Sequence, residues 1–297
     1  MSVPPVTALT PDASASATRS RTGWLRGIGS LGPLGVAALI VIALAALLAI
    51  FGPLLAPHDP DSSDLNWAFV GPIPGYPLGL DGQGRDLLSR LMAGARTSML
   101  GPLLVVVIST VLGGILALVG AWRGGRVDQA IARLLDALLA VPGLLLAILA
   151  VAVFGAGMTA PVIALGISYT PFFARVLRGS ALREVRQQYV EALRLQGLGG
   201  VPIILRHVVP NLLPLLVAQA TVNFGYAMID LAALSYLGLG VQAPTADWGA
   251  MVYSGQAGIV QGYYLESLTA GACIVLVVCA FNVLGERLAD RWGAVTR

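Results

Sequence analysis

The chain has 297 residues, of which 57% are apolar and only 11% are charged, with a mean hydropathy of +0.81. Both shares lie outside the usual range of soluble domains, so the composition predicts an integral membrane protein. All eighteen basic residues are arginine. The absence of lysine excludes a Walker A phosphate loop, whose chemistry needs a lysine on the nucleotide phosphates. The chain is therefore not the ATP-hydrolysing part of a P-loop machine.

The apolar residues gather in six segments, and each predicts a membrane-spanning helix. The first, Leu31 to Leu55, follows Arg19, Arg21 and Arg26. A signal peptide is the competing interpretation, but its apolar region would be shorter than this one, so we predict an uncleaved span. The other five segments are Met99 to Trp122, Leu134 to Phe154, Met158 to Val176, Val208 to Leu239 and Leu268 to Leu284.

These segments divide the chain into a terminal tail, a first helix, a long loop and a core of five further helices. The predicted bounds are a disordered N-terminal tail at 1–30, the first transmembrane helix at 31–56, a loop at 57–96, a core at 97–285 and a C-terminal tail at 286–297. Within the first loop, Arg85 to Ala93 has apolar residues on one side and polar residues on the other, which predicts a short interfacial helix.

The arginines decide the predicted orientation. Fifteen lie in the two tails and in the loops after the second and fourth spans, whereas three lie on the other side. Because cytoplasmic loops are enriched in basic residues, both termini and the loop 178–207 are predicted to be cytoplasmic, and the loop 57–96 extracellular.

Polar residues in the fifth span lie on one face of the predicted helix. They are Gln219, Asn223, Tyr226 and Asp230, at positions i, i+4, i+7 and i+11. Ionisable residues inside a span usually face a bundle interior or a water-filled path, which favours a translocation pathway. The alternative is hydrogen bonding between helices, worth about 0.6 kcal/mol per contact.

Other chemistry has little support in the sequence. The two histidines, His58 and His207, are far apart, so no metal site is predicted. We find no nucleophile–base constellation, and the arginine clusters flank the membrane rather than forming a nucleic-acid surface. We predict no catalytic residue and no cofactor in this chain.

The loop 178–207 has the pattern of a helix, a turn and a second helix. Ala181 to Gln196 is amphipathic, Gly197 can take the positive φ that ends a helix, and Pro202 suits the first turn of the next. A helix lying on lipid headgroups is the alternative interpretation of this pattern.

Motifs in this loop and elsewhere resemble one family. Glu191-Ala192-Leu193, three residues, Gly197, nine residues and then His207-Val208-Val209-Pro210 are similar to the EAA motif of binding-protein-dependent ABC importer permeases. Leu193 departs from the second alanine that is usual in the motif. PLGLDGQGRDLLSRLMAGARTSML from Pro77, GGRVDQAIARLLDALLAVPGLLLAI from Gly124, LSYLGLGVQAPTADWGAM from Leu234 and FNVLGERLADRW from Phe281 resemble the C-type permeases of dipeptide, oligopeptide and nickel importers.

The resemblance implies an all-α polytopic protein with six transmembrane helices and the type I ABC importer permease fold, in a bacterial inner membrane. It implies four kinds of partner: a homologous second permease, two cytoplasmic ABC ATPase subunits that use ATP and magnesium, an extracellular solute-binding protein, and the lipid bilayer. The residues it assigns to coupling with the ATPases are Glu191, Ala192, Gly197, Arg206 and His207.

Asp230 resembles the aspartate found at this place in the dipeptide-permease branch of the family. This resemblance favours dipeptides or short oligopeptides as the solute. Nickel, glutathione or haem imported by the same machinery remain alternatives at this stage. An ion-coupled secondary transporter is a further alternative, but it predicts several carboxylates inside the spans, and only Asp230 lies in one.

Overall fold

The computed structural model describes the backbone of residues 32–295 and the side chains of residues 32–290. The predicted disordered tail at 1–30 lies outside this range. The predicted all-α fold is confirmed for the described residues, which contain two isolated bridge pairs and no strand. The helices in chain order are α1 Gly32–Leu55, α2 Leu87–Arg123, α3 Gly125–Leu139, α4 Gly143–Phe154, α5 Thr159–Val185, α6 Gln188–Leu195, α7 Gly200–Ile203, α8 Val209–Tyr236, α9 Trp248–Ser254, α10 Gln256–Val260 and α11 Leu265–Val295.

Several of these helices match the predicted spans in length and composition. In the described part of the chain, α1, α2, α5, α11 and the combined segment Gly200–Tyr236 are long and apolar enough to cross a membrane. The bent pair of α3 and α4 brings the number to six if it makes one crossing. The predicted count of six therefore agrees with the fold, although the third span has a different form.

The prediction of one straight helix from Leu134 to Phe154 for the third span is wrong. The structure breaks it between α3 and α4, which are bent by 75°. Pro142 lies at the break, with backbone angles of φ −57° and ψ 130° that are not helical. A proline interrupts a helix because it lacks a hydrogen-bond donor and its ring clashes with the preceding turn. Leu134 to Leu139 belong to the amphipathic α3, and only α4 is apolar throughout.

The interfacial helix predicted at 85–93 is not a separate helix in the structure. Leu87 to Ala93 instead form the first turns of the 37-residue α2, which continues without a break to Arg123. The side of this segment predicted to face water is buried, with Arg90 4% exposed and Ser89 fully enclosed. It is buried because residues 56–86, which we call the cap, fold back over the start of α2.

Ion pairs and hydrogen bonds hold the cap in place. Asp81 accepts hydrogen bonds from the Arg85 Nε at 2.7 Å and from the backbone N–H groups of Gln83 and Arg85. Arg90 donates to the carbonyl oxygens of Pro60 at 3.0 Å and Pro244 at 3.3 Å, and so joins the cap to the loop after α8. These partners replace water for charges that would otherwise be costly to bury.

Small residues allow the long helices to pack closely. The most extensive helix contact joins α2 and α5. At Gly113 on α2, an added Cβ would lie 2.9 Å from the Thr170 carbonyl oxygen of α5. Close approach of this kind is typical of membrane helices, whose association depends on packing because lipid is as apolar as the side chains.

Gly52 gives a test of the packing between α1 and α2. A Cβ at this position would lie 2.1 Å from the Met92 carbonyl oxygen, a backbone atom that cannot move alone. We expect Gly52→Ala to destabilise the protein by about 1–3 kcal/mol, as overpacking does. The measurement is thermal unfolding of the purified protein in detergent. Gly271→Ala in α11 is the control, since its nearest neighbour would be 4.0 Å away, and equal stability of both variants would contradict this packing.

Candidate coupling element and translocation face

Residues 186–208 form a compact unit at one end of the helix bundle, which we call the coupling element. It consists of α6, a turn, α7 and a π-helical turn from Ile204 to Val208. Val190, Ile203 and Val208 are completely buried and pack in one cluster with Phe173 and Leu177 of α5. This apolar anchor joins the element to the ends of the spans.

The single amphipathic helix predicted from Ala181 to Gln196 is wrong. The structure ends α5 at Val185 and begins α6 at Gln188, with Gln187 in an extended conformation between them. Val190 enters the buried cluster, and Tyr189 and Leu193 are half-buried against it. Ala192 is exposed.

The predicted turn is confirmed. Gly197 has φ +84°, a conformation that residues with a Cβ rarely adopt, and it ends α6 as expected. Pro202 lies in the first turn of α7, where its missing N–H costs no helical hydrogen bond. The element therefore has a fixed bend between its two helices.

Trp122, near the end of α2, contacts both helices of this element. The Arg194 guanidinium of α6 lies 4.0 Å from the centre of the indole ring, a cation–π arrangement. On the α7 side, Gly200 approaches so closely that an added Cβ would be 2.7 Å from three indole atoms. The sequence indicated only a flexible Gly199–Gly200 turn, and nothing local revealed the tryptophan that packs against the second glycine.

A second set of polar contacts joins three helices at the break between α5 and α6. Glu184 Oε1 accepts hydrogen bonds from the Tyr189 hydroxyl and from the Asn211 side-chain amide, both at 2.6 Å. Burial and the hydrogen bond to Glu184 raise the pKa of Tyr189 to about 12. The phenol thus keeps its proton at physiological pH and continues to tie α6 to α5 and α8.

The residues that the sequence predicted for coupling lie mostly on the outer side of the element. Glu191, Ala192, Gly197 and Arg206 are exposed, and His207 is half-buried. Large apolar side chains of the same element are exposed as well, with Leu195 84%, Val201 66% and Leu205 61% exposed. One side of the element is thus anchored in the bundle and the other is exposed in the described part of the chain.

Two ion pairs connect the amphipathic α3 to α5. Arg178 forms a two-pronged contact with Asp128, in which its Nε donates to Asp128 Oδ1 at 2.6 Å and its Nη2 donates to Oδ2. Nearer the bend, Arg175 pairs with Asp136, and both of these side chains are more than half exposed. The Asp128–Arg178 contact, which is the better buried of the two, ties α3 to the part of α5 that leads into the coupling element.

The four polar residues predicted to line a pathway are divided by the fold. Asn223 is 4% exposed and accepts a hydrogen bond from Gln219 at 3.1 Å. Tyr226 is 55% exposed, and the partly buried Asp230 accepts a hydrogen bond from the Tyr169 hydroxyl of α5 at 3.0 Å. Tyr226 and Asp230 are therefore accessible at the surface of the chain, whereas Asn223 lies within the bundle. Tyr169 brings α5 into contact with this group.

Comparison with known proteins identifies the class to which this architecture belongs. Residues 69–292 match the family described as "Binding-protein-dependent transport system inner membrane component". Residues 33–72 match the N-terminal transmembrane domain of oligopeptide transport permease C. The chain belongs to this family, and it is a multi-pass membrane permease component.

Individual relatives share this chain's length as well as its sequence. The di/tripeptide transport system permease protein DppC of Pseudomonas aeruginosa is 39% identical over 90% of this chain and 89% of its own length. The nickel transport system permease protein NikC of Escherichia coli is 37% identical over 85% of this chain and 91% of its own. The glutathione transport system permease protein GsiD of Escherichia coli is 38% identical, over 86% and 84% respectively.

A solved structure supports the fold. A chain from the inward-facing MetNI methionine ABC transporter superposes with a TM-score of 0.52 at 21% sequence identity, covering 71% of this chain and 97% of that one. This similarity agrees with the predicted type I importer permease fold.

Proposed function

We propose that this chain is the permease subunit of an ABC importer that takes up dipeptides or short oligopeptides, powered by partner ATPases that bind the coupling element. The observation that carries the proposal is that one side of this element is buried in the bundle while the other side is exposed. Its inner side is fixed in the bundle by Val190, Ile203 and Val208, and its outer side presents the predicted coupling residues. Such an element can transmit an external push to the spans.

The outer surface of the coupling element has the composition of a protein-binding site. Three large apolar side chains, Leu195, Val201 and Leu205, are each more than 60% exposed. Contiguous exposed apolar surface with polar residues around it usually marks a site of protein–protein contact. Glu191 and Arg206 supply the charged groups beside it. ATP and magnesium would be used by the partner, because this chain has no lysine for a phosphate loop.

The arrangement in the membrane follows from the arginine distribution. The coupling element contributes to a strongly basic side, which we propose is cytoplasmic together with both termini. The cap then faces outward, where a solute-binding protein delivers its cargo. A second, homologous permease completes the pathway, and Tyr226 and Asp230 on the open surface of α8 would face it.

Peptides are the solute that the comparisons favour, by a small margin. The di/tripeptide permease relative is 39% identical, and the glutathione and nickel permeases are 38% and 37%. Glutathione is itself a tripeptide, so two of the three relatives act on peptides. Nickel and haem remain alternatives within the same machinery.

Reconstitution tests the proposed function. We expect the tagged chain, expressed from its own operon, to co-purify with a second permease and two ATPase subunits. In proteoliposomes supplied with the binding protein, it should import a radiolabelled dipeptide only when ATP is present inside. An ionophore that collapses ion gradients should leave uptake unchanged. Uptake that needs an ion gradient and no ATP would contradict the proposal, and ATP-driven uptake of nickel but not peptide would reassign the solute.

A further inference from the structure

We propose that Asp230, with Tyr169 and Tyr226, forms a binding site in the translocation pathway for the positively charged ammonium group of the solute. This inference rests on the proposed function and narrows it to solutes with a free amino terminus. We call these three residues the Asp230 site.

The geometry leaves half of the carboxylate unoccupied. The Tyr169 hydroxyl donates to Asp230 Oδ2 at 3.0 Å, which fixes the orientation of the carboxylate between α5 and α8. In the described part of the chain, no hydrogen bond reaches the other oxygen, Oδ1, and no arginine or histidine lies within ion-pair distance of it. The site thus has a positioned acceptor with free capacity.

The unpaired oxygen of Asp230 is costly because the residue lies inside the spans. Asp230 lies six residues before the end of α8 and Tyr169 ten residues after the start of α5, which places them about 9 Å and about 15 Å from those helix ends. Carboxylates at such depth normally pair with a cation or face a water-filled cavity. A cation that arrives with the solute satisfies this requirement without a permanent partner.

The chemistry of the site suits an ammonium group better than a metal ion. Among the described residues, no group of three or more histidine, cysteine, aspartate or glutamate side chains could hold a metal. An ammonium group has three donors, which one carboxylate oxygen and a phenol oxygen can accept. Tyr226, one helical turn before Asp230 and 55% exposed, adds an aromatic ring that can stabilise the cation by its face.

The test compares two probes that differ only in the ammonium group, Ala-Ala and propionyl-Ala. Each is added to the permease–ATPase complex in nanodiscs without the binding protein, so that selection by that protein cannot contribute, and binding is followed by saturation-transfer NMR. We expect the wild type to bind Ala-Ala at least about 10-fold better than propionyl-Ala, the effect of a charged hydrogen bond. Asp230→Asn should abolish this preference, Asp230→Glu should keep it, and Tyr169→Phe should reduce it.

Three outcomes would overturn the inference. They are equal binding of the two probes by the wild type, no binding of Ala-Ala at all, and loss of complex assembly in Asp230→Asn, which would make Asp230 a subunit contact. ATP-driven Ala-Ala uptake by the wild-type complex, measured separately with the binding protein, tests the proposed function. Normal uptake combined with equal probe binding would thus reject the Asp230 site alone.

Discussion

Gly200→Ala is expected to reduce ATP-driven uptake by at least about 10-fold. The new Cβ would lie 2.7 Å from the Trp122 indole, and the Arg194 guanidinium on the same ring opposes its displacement. Relieving the overlap requires α7 to move away from α2, at a cost of about 1–3 kcal/mol. Because α7 leads directly into α8, the displaced element would transmit less of the ATPase motion to the spans. Uptake of labelled dipeptide and ATP hydrolysis, measured in the same proteoliposomes, give the ratio of transport to hydrolysis.

The neighbouring glycine provides the matched control for this experiment. At Gly199 an added Cβ would meet only the Pro202 side chain at 3.6 Å, an ordinary contact, and its φ is negative. Gly199→Ala should therefore transport like the wild type. Combining Gly200→Ala with Trp122→Ala removes the overlap and should recover part of the lost coupling. Full uptake by Gly200→Ala alone would show that the close approach to Trp122 is unimportant.

Asp128→Asn is expected to lower the same ratio of transport to hydrolysis by about 5-fold or more. It removes the charge of the two-pronged pair with Arg178, whose Nε–Oδ1 distance is 2.6 Å, and hydrogen bonds to charged groups contribute about 1.5–3 kcal/mol. Without it α3 loses the better buried of its two ion pairs with α5, so the bent third span follows α5 less closely. ATP hydrolysis should continue, because the surface proposed to bind the ATPases is unchanged.

Asp136 offers a second carboxylate on the same helix as a control. Its pair with Arg175 is more than half exposed, and exposed pairs contribute roughly 0–1 kcal/mol. Asp136→Asn should therefore behave nearly like the wild type. The exchange Asp128→Arg with Arg178→Asp should restore more transport than either single change. Equal losses for Asp128→Asn and Asp136→Asn, or no rescue by the exchange, would refute a specific role for the Asp128–Arg178 pair.

The sequence predicted well those features that depend on composition and on local backbone chemistry. Long apolar runs predicted the spans, because a helix crossing lipid must be apolar over about 20 residues whatever its neighbours are. The Gly197 turn and the position of Pro202 were also correct, since a positive φ and a missing N–H are properties of the residues themselves.

The predictions failed where partners distant in sequence decide the conformation. The start of α2 reads as an amphipathic surface helix, but the cap covers its polar side and supplies carbonyl and carboxylate partners for Arg90. The helix expected across Arg186 and Gln187 breaks so that Val190 can enter a cluster with residues of α5 and α8. The spacing of apolar residues along one segment cannot reveal the cap over α2 or the cluster that Val190 joins.

By itself, therefore, the sequence determined a six-span permease with a basic, turned element between its fourth and fifth spans. Only the tertiary structure decided that Val190 enters the buried cluster beneath that element, that Trp122 lies against Gly200, and that Tyr169 orients Asp230. The physical reason is the same in each case. Hydropathy and backbone preference act over a few residues, whereas burial and hydrogen-bond partners depend on helices that are far apart in the chain and meet only in the folded bundle.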